Sequence, residues 1–103
     1  MKNRVLTEFE STEDAKKVEE TVKTGYIDIA VENLEQWRAV EDDLSDTYGR
    51  LATAAKDKAV KAAFMQLHDE SEANKAELSG LLQAVEALDK ARVSRIDRLA
   101  ALS

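Results

Sequence analysis

The chain has 103 residues and a mass of 11.4 kDa, which is enough for one small domain with a modest core. It contains no cysteine and no proline, so disulfides and thiolate chemistry are excluded and the composition favours helices over strands. With 21 acidic against 15 basic residues, the net charge of −6 disfavours nucleic acid and anionic lipid as partners.

The sequence has no segment that predicts membrane insertion or export. No apolar run approaches the roughly 18 residues that a membrane span requires, and the start of the chain lacks the apolar stretch of a signal peptide. We therefore expect a cytoplasmic protein. The best basic cluster is interrupted by Asp89 and Asp97, which argues against nucleic-acid binding; its members are Lys90, Arg92, Arg95 and Arg98.

The N-terminal quarter of the chain predicts an arm and a short helix. Residues 1–10 have no apolar period, and we expect a loose arm there. Ser11 followed by Asp14 resembles a capping box, and apolar residues then recur on one helical face until Gly25. This pattern predicts a first helix over residues 12–24.

Two long segments with apolar steps of three and four residues predict a helix hairpin. The polar turn between them is centred on Asp57. Beyond Asp89 the apolar stripe changes face, which predicts a break and a last helix. We therefore predict a single all-α domain over residues 1–103, with the main antiparallel helices at 26–55 and 58–88 and a C-terminal helix at 90–101. The first seam is Ile27, Ala30, Leu34, Trp37, Glu41, Leu44, Tyr48, Leu51 and Ala55. The second is Val60, Phe64, Leu67, Ser71, Asn74, Leu78, Leu81, Val85 and Leu88.

Three polar residues interrupt these apolar seams. Both helices rise by about 1.5 Å per residue, so a hairpin that turns at Asp57 brings Glu41 level with the space between Ser71 and Asn74. The sequence thus predicts one buried polar layer in which Glu41 is hydrogen-bonded to Asn74 or Ser71. Three interpretations stay open: a layer that fixes helix register, a metal site, or a pocket for a small ligand.

The same residues resemble a known helix pair. Glu41 with Tyr48 seven residues later, followed by Ser71-x-x-Asn74 and Leu78, looks like the hairpin of ferritin-like proteins of the rubrerythrin and encapsulated-ferritin type. The resemblance covers residues 30–82. It implies a half-bundle that dimerisation completes to a four-helix bundle, in which a Glu on the first helix and a Glu-x-x-His on the second bind two irons.

The chain departs from that motif at two of its three ligand positions. Ser71 replaces the motif's glutamate and Asn74 its histidine, so Glu41 is the one ligand retained, with Glu70 and Glu72 as neighbouring substitutes. No residue is predicted to be catalytic. His68 is expected on the surface, and Trp37 and Tyr48 are expected to be packing residues rather than radical or electron relays.

The leading functional hypothesis is a non-catalytic ferritin-like protein that assembles as a homo-oligomer, most simply a dimer. A vestigial polar layer would stand in place of the di-metal site, with no cofactor. The alternative is an enzyme, a di-iron or manganese carboxylate protein acting in iron storage, iron oxidation or peroxide reduction. A helical adaptor for another protein partner is a third hypothesis.

Overall fold

The chain is helical wherever its structure is described. The computed structural model describes residues 12–102, and the predicted arm at 1–10 and the Ser11 cap lie outside that range. Its elements are helix α1 at Thr12–Val22, a π-helical turn at Lys23–Ile27, helix α2 at Asp28–Ala54 and helix α3 at Lys58–Ala101. Residues 12–102 contain no strand, which confirms the all-α prediction. No described helix is both long and apolar enough to cross a membrane.

The predicted helix end at Gly25 is wrong. None of the described glycines has a positive φ, so Gly25 does not form the left-handed cap that ends many helices. The helix instead widens into the π turn, where the Asp28 N–H donates to the Lys23 carbonyl five residues earlier. A π turn accommodates one additional residue without ending a helix, so α1 continues into α2.

The predicted break near Asp89 is also wrong, because α3 runs for 44 residues without interruption. Arg92 occupies an inward position there and is buried. Its Nε donates to Asp89 Oδ1 at 3.0 Å, and its Nη1 donates to the Glu19 carbonyl at 3.2 Å. A buried guanidinium is tolerated when its N–H groups have such acceptors. The shift of the apolar stripe to another face therefore does not require the helix to end.

The chain divides into two compact units. Among the described residues, the first comprises 12–31 and 84–102 and the second 32–83. In the described part of the first unit, Arg95 Nε lies 3.4 Å from Glu19 Oε2, while Ala15 and Ile27 are buried. The Lys23 ammonium donates to Asp28 at 2.9 Å, and this hydrogen bond raises the pKa of Lys23.

The second unit is the predicted antiparallel hairpin. Its turn, residues 55–57, ends where Asp57 Oδ1 accepts the Val60 N–H at 3.0 Å and caps α3. Residue numbers fall on α2 as they rise on α3, which confirms the antiparallel register. The pairs that show this are Arg38 with Ser79 at 3.4 Å, Glu41 with Asn74 at 3.3 Å, and the stacked rings of Tyr48 and Phe64 with centroids 6.4 Å apart.

The hairpin buries only part of each predicted seam. Its buried residues are Glu41, Ser45 and Ala52 on α2, and Ser71, Leu78 and Leu82 on α3. Leu44 and Leu67, which belong to the two predicted seams, are 37% and 38% exposed in the single chain. The apolar stripe of each helix is wider than its contact with one neighbour. The other exposed large apolar members of the seams are Trp37, Leu51, Val60, Leu81 and Leu88.

Candidate functional site

The predicted polar layer lies in the hairpin unit. Glu41 is only 8% exposed, and Asn74 Nδ2 donates to its Oε2 at 3.3 Å, which confirms the predicted contact. Ser71 is 4% exposed on the inner side of α3. Asn74 itself is exposed at the edge of the helix contact. The layer is therefore buried at Glu41 on α2 and at Ser71 on α3, and it is open to one side at Asn74.

A pocket of about 250 Å³ opens beside this layer. Its lining combines two carboxylates and an amide with an indole and two leucines: Trp37, Glu41, Asn74, Glu77, Leu78 and Leu81. No basic residue is among them. The Glu41 carboxylate thus accepts a hydrogen bond from a neutral amide in surroundings that are otherwise apolar or acidic.

A second polar cluster, absent from the sequence predictions, lies on another side of the helix contact. Ser45 is buried, its Oγ donates to Glu72 Oε2, and its carbonyl accepts from His68 Nδ1 at 2.9 Å. Lys75 Nζ bridges Glu72 Oε2 at 3.0 Å and Asp42 Oδ1 at 2.8 Å. We call these five residues the polar clamp. It joins α2 to α3 through side chains of both helices.

The prediction that His68 is a surface residue is wrong, because the ring is half-buried and bonded to α2. The antiparallel register that placed Glu41 beside Asn74 also places Ser45 level with the segment from His68 to Glu72. His68 and Glu72 are four residues apart on α3 and therefore share one side of that helix. The four-residue spacing of His68 and Glu72, level with Ser45, was the feature of the sequence that could have predicted the clamp.

Electrostatics strengthens the clamp at neutral pH. The hydrogen bond from Ser45, and after it the one from Lys75, holds the pKa of Glu72 below its ordinary value. Asp42, and after it Glu72, raises the pKa of Lys75. Both groups are therefore charged at neutral pH, and each charge has a partner of opposite sign.

The predicted metal ligands do not come together as a metal site. Glu70 is exposed, and Glu72 is engaged by Ser45 and Lys75 in the polar clamp rather than by the Glu41 layer. Within residues 12–102 no three acidic or histidine side chains are grouped so that they could hold a metal ion. The donor set of one chain therefore does not fit a di-iron or manganese centre, and the metal-binding role of Glu41 rests on the resemblance alone.

The pocket and the clamp occupy different sides of the hairpin. Successive helical residues are rotated by about 100°, so Leu67 and His68 project to opposite sides of the α2–α3 contact. A separate pocket beside the clamp is lined by Ser45, Asp46, Gly49, Arg50, Thr53, Ala54 and His68 and shares no residue with the first. One side of the hairpin is thus held by charges, while the other exposes apolar side chains around Glu41.

No protein family, curated protein or solved structure matches this chain.

Proposed function

We propose that this chain is a non-catalytic assembly protein whose hairpin pairs with a second copy to form a four-helix bundle of the ferritin-like kind. The observation that carries the proposal is a set of exposed apolar side chains on the pocket side of the hairpin. We call this set the open apolar face. It comprises Trp37, Val40, Leu44, Leu51, Leu67 and Leu81.

The spacing within this face is typical of helices that pack against two neighbours. Trp37, Leu44 and Leu51 are seven residues apart on α2, and Leu67 and Leu81 are fourteen apart on α3 with Asn74 between them. A seven-residue repeat keeps side chains on one side of a helix and is the repeat of bundle interfaces. Trp37 and Leu81 line the same pocket, so the two rows border one another.

A second copy is the occupant that best fits this face. The contact between α2 and α3 buries few large apolar side chains, because Glu41, Ser45 and Ser71 are polar and Ala52 is small. Two such hairpins placed face to face cover the same rows on both copies, as a two-fold interface requires. Burial contributes on the order of 1 kcal/mol for each half-exposed apolar side chain. Roughly a dozen of these offset an association cost on the order of 4–15 kcal/mol.

The polar layer has a structural role in this proposal. Glu41 and Asn74 stand at seam positions, and a buried polar pair in an otherwise apolar seam favours the one register in which it stays hydrogen-bonded. The layer would thus fix the register of α2 against α3 within each hairpin instead of holding metal.

The test compares substitutions at two positions that lie on different sides of α3 but have similar exposure. Leu67 is 38% exposed and belongs to the open apolar face, while Met65 is 41% exposed and lies on another side of α3. We expect sedimentation velocity to give the native chain a mass of twice 11.4 kDa. Leu67→Glu should give a helical monomer, because it places a charge in the interface, whereas Met65→Glu should stay dimeric.

A compact native monomer at micromolar concentration would overturn the proposal, and so would equal effects of the two substitutions. Iron or manganese bound stoichiometrically after purification without chelator, and lost in Glu41→Gln, would favour the di-metal alternative instead.

A further inference from the structure

We propose that the pocket beside Glu41 binds a small organic cation, a primary ammonium group that carries a short aryl or alkyl group. This site is separate from self-association and does not require a second copy of the chain. The lining of the pocket joins two carboxyl side chains to an indole and two leucines and contains no basic residue. An organic cation is the class of ligand that matches both the negative charge and the apolar surface of such a lining.

Glu41 gives the pocket a negative charge that is largely shielded from water. The residue is only 8% exposed, and the hydrogen bond that it accepts from the neutral Asn74 amide engages one carboxyl oxygen, Oε2, at 3.3 Å. No ammonium or guanidinium group of residues 12–102 forms an ion pair with it. A carboxylate in such surroundings attracts a cation more strongly than one in bulk water does, because the local dielectric is lower. The second oxygen, Oε1, is left to accept a hydrogen bond from a ligand.

The basic residues closest in sequence to the pocket residues have partners elsewhere. Lys75 follows Asn74, but its ammonium is held by Asp42 and Glu72 in the polar clamp. Arg38 follows Trp37, but its guanidinium donates to Ser79 Oγ at 3.4 Å. Glu77 adds a second carboxyl group to the lining. The described residues thus leave the counter-charge of the pocket to a ligand.

Trp37 provides the surface for the rest of the ligand. The residue is 59% exposed, and it shares the pocket with Leu78 and Leu81. The face of an indole attracts cations more strongly than the other aromatic side chains do. A volume of about 250 Å³ is smaller than the roughly 300–1,000 Å³ of sites for drug-sized molecules, which limits the ligand to roughly ten non-hydrogen atoms.

An inorganic metal ion fits this pocket less well. Within residues 12–102 no three acidic or histidine side chains are grouped so that they could hold one. A metal ion also has no use for an indole and two leucines, whereas an aryl or alkyl group packs against them. The apolar part of the lining therefore favours an organic cation.

The experiment uses benzylammonium, which joins a primary ammonium to an aryl ring, and benzyl alcohol as an uncharged probe of the same size. Isothermal titration calorimetry at neutral pH and constant ionic strength measures the Kd of each. We expect a Kd on the order of 1 mM for benzylammonium, as is usual for so small a ligand, and a Kd at least about tenfold higher for benzyl alcohol. The emission of Trp37 should change along the same binding curve.

Three substitutions test the role of the carboxyl groups. Glu41→Gln keeps the shape of the side chain and an oxygen for Asn74 but removes the charge, so it should raise the Kd of benzylammonium at least about tenfold. Glu77→Gln changes an exposed residue of the pocket and should also raise it, without altering the buried layer. Glu35→Gln is the matched control, because Glu35 is exposed on α2 and does not line the pocket. It removes the same charge and should keep the native Kd.

The titration is repeated with Leu67→Glu, because a second copy on the open apolar face would cover the pocket. Met65→Glu adds the same charge on another side of α3 and is its control. Binding by Leu67→Glu that Glu41→Gln abolishes in the double variant supports the site whether or not the native chain dimerises.

Equal Kd values for benzylammonium and benzyl alcohol would overturn the inference. Equal effects of Glu41→Gln and Glu35→Gln would overturn it too, and so would the absence of binding by both the native chain and Leu67→Glu. Each of these results leaves the proposed function intact, since sedimentation without ligand tests that function.

Discussion

Ser45 connects the two helices of the hairpin through both its side chain and its backbone. Its hydroxyl donates to Glu72, and its carbonyl accepts from His68 at 2.9 Å. The residue is 3% exposed, so neither bond competes fully with water. A small side chain at this position also allows the two helix backbones to approach. Ser45 therefore contributes to helix pairing by hydrogen bonding where a leucine would contribute by packing.

We predict that Ser45→Ala raises the pKa of Glu72 toward its ordinary value, because the Ser45 hydrogen bond is the largest cause of its lowering. An NMR titration of the Glu72 carboxyl would measure this. The pKa of Glu72 is lower in the folded than in the unfolded chain. Its stabilising contribution is therefore present above the ordinary value and lost as the pH falls through the lowered one.

Acid unfolding followed by circular dichroism should accordingly depend less on this carboxyl in Ser45→Ala than in the native chain. Ser94→Ala, at an exposed position of α3, is the control and should leave the titration of Glu72 unchanged. An equal pKa of Glu72 in the native chain and in Ser45→Ala would show that the serine hydroxyl does not stabilise the carboxylate.

At the scale of elements, the start of α3 depends on one side chain. Asp57 is the last residue of a turn without proline or glycine, and its carboxylate accepts the Val60 N–H at 3.0 Å. Its backbone carbonyl also accepts from Lys61 at 3.0 Å. A carboxylate at this position satisfies an N–H that has no partner within the helix and interacts favourably with the helix dipole. Asp57 thus determines where α2 and α3 separate.

We predict that Asp57→Ala lowers the free energy of unfolding by about 1 kcal/mol, the usual cost of losing such a cap. Urea unfolding at neutral pH would measure the change. Asp69→Ala removes the same type of side chain from an exposed interior position of α3 and should change stability by less than about 0.5 kcal/mol. Equal losses for the two variants would contradict a capping role for Asp57.

The sequence predicted the hairpin, its turn and its register, because these follow from apolar spacing and the rise of a helix. Which side of each helix faces the other could not be predicted equally well. Leu44 and Leu67 are better core residues by type than Ser45 and His68, yet the latter face the helix contact. Either pair of residues satisfies the three- and four-residue spacing of the seams. The hydrogen bonds of Ser45 to Glu72 and His68 decide which pair faces the contact.

The apolar pattern of the sequence also could not predict that the helices continue past Gly25 and Arg92. Gly25 is a frequent helix terminator, but here it lies within a π turn. Arg92 interrupts an apolar stripe, but Asp89 and the Glu19 carbonyl accept its hydrogen bonds. Each of these depends on a contact or a local backbone geometry that residue type alone does not specify.

At the scale of the whole molecule, the open apolar face and the net charge of −6 have opposite effects on association. Two copies repel at long range, while the apolar rows attract at contact. Salt screens the repulsion and leaves the apolar contacts, so association should be stronger at physiological than at low ionic strength. The polar clamp lies on the other side of the hairpin and places its charge pairs away from the proposed interface.

The position of Trp37 makes assembly visible by fluorescence. It is the one tryptophan of the sequence, it is 59% exposed, and it lies on the open apolar face. An indole that moves from water into an apolar contact emits at shorter wavelength. We predict that diluting the native chain from above to below the dissociation constant of the dimer shifts its emission to longer wavelength. Leu67→Glu should show the long-wavelength spectrum at every concentration, and the same spectrum for both proteins at high concentration would indicate that Trp37 stays in water. The chain thus carries its own optical reporter of the surface that we propose it uses.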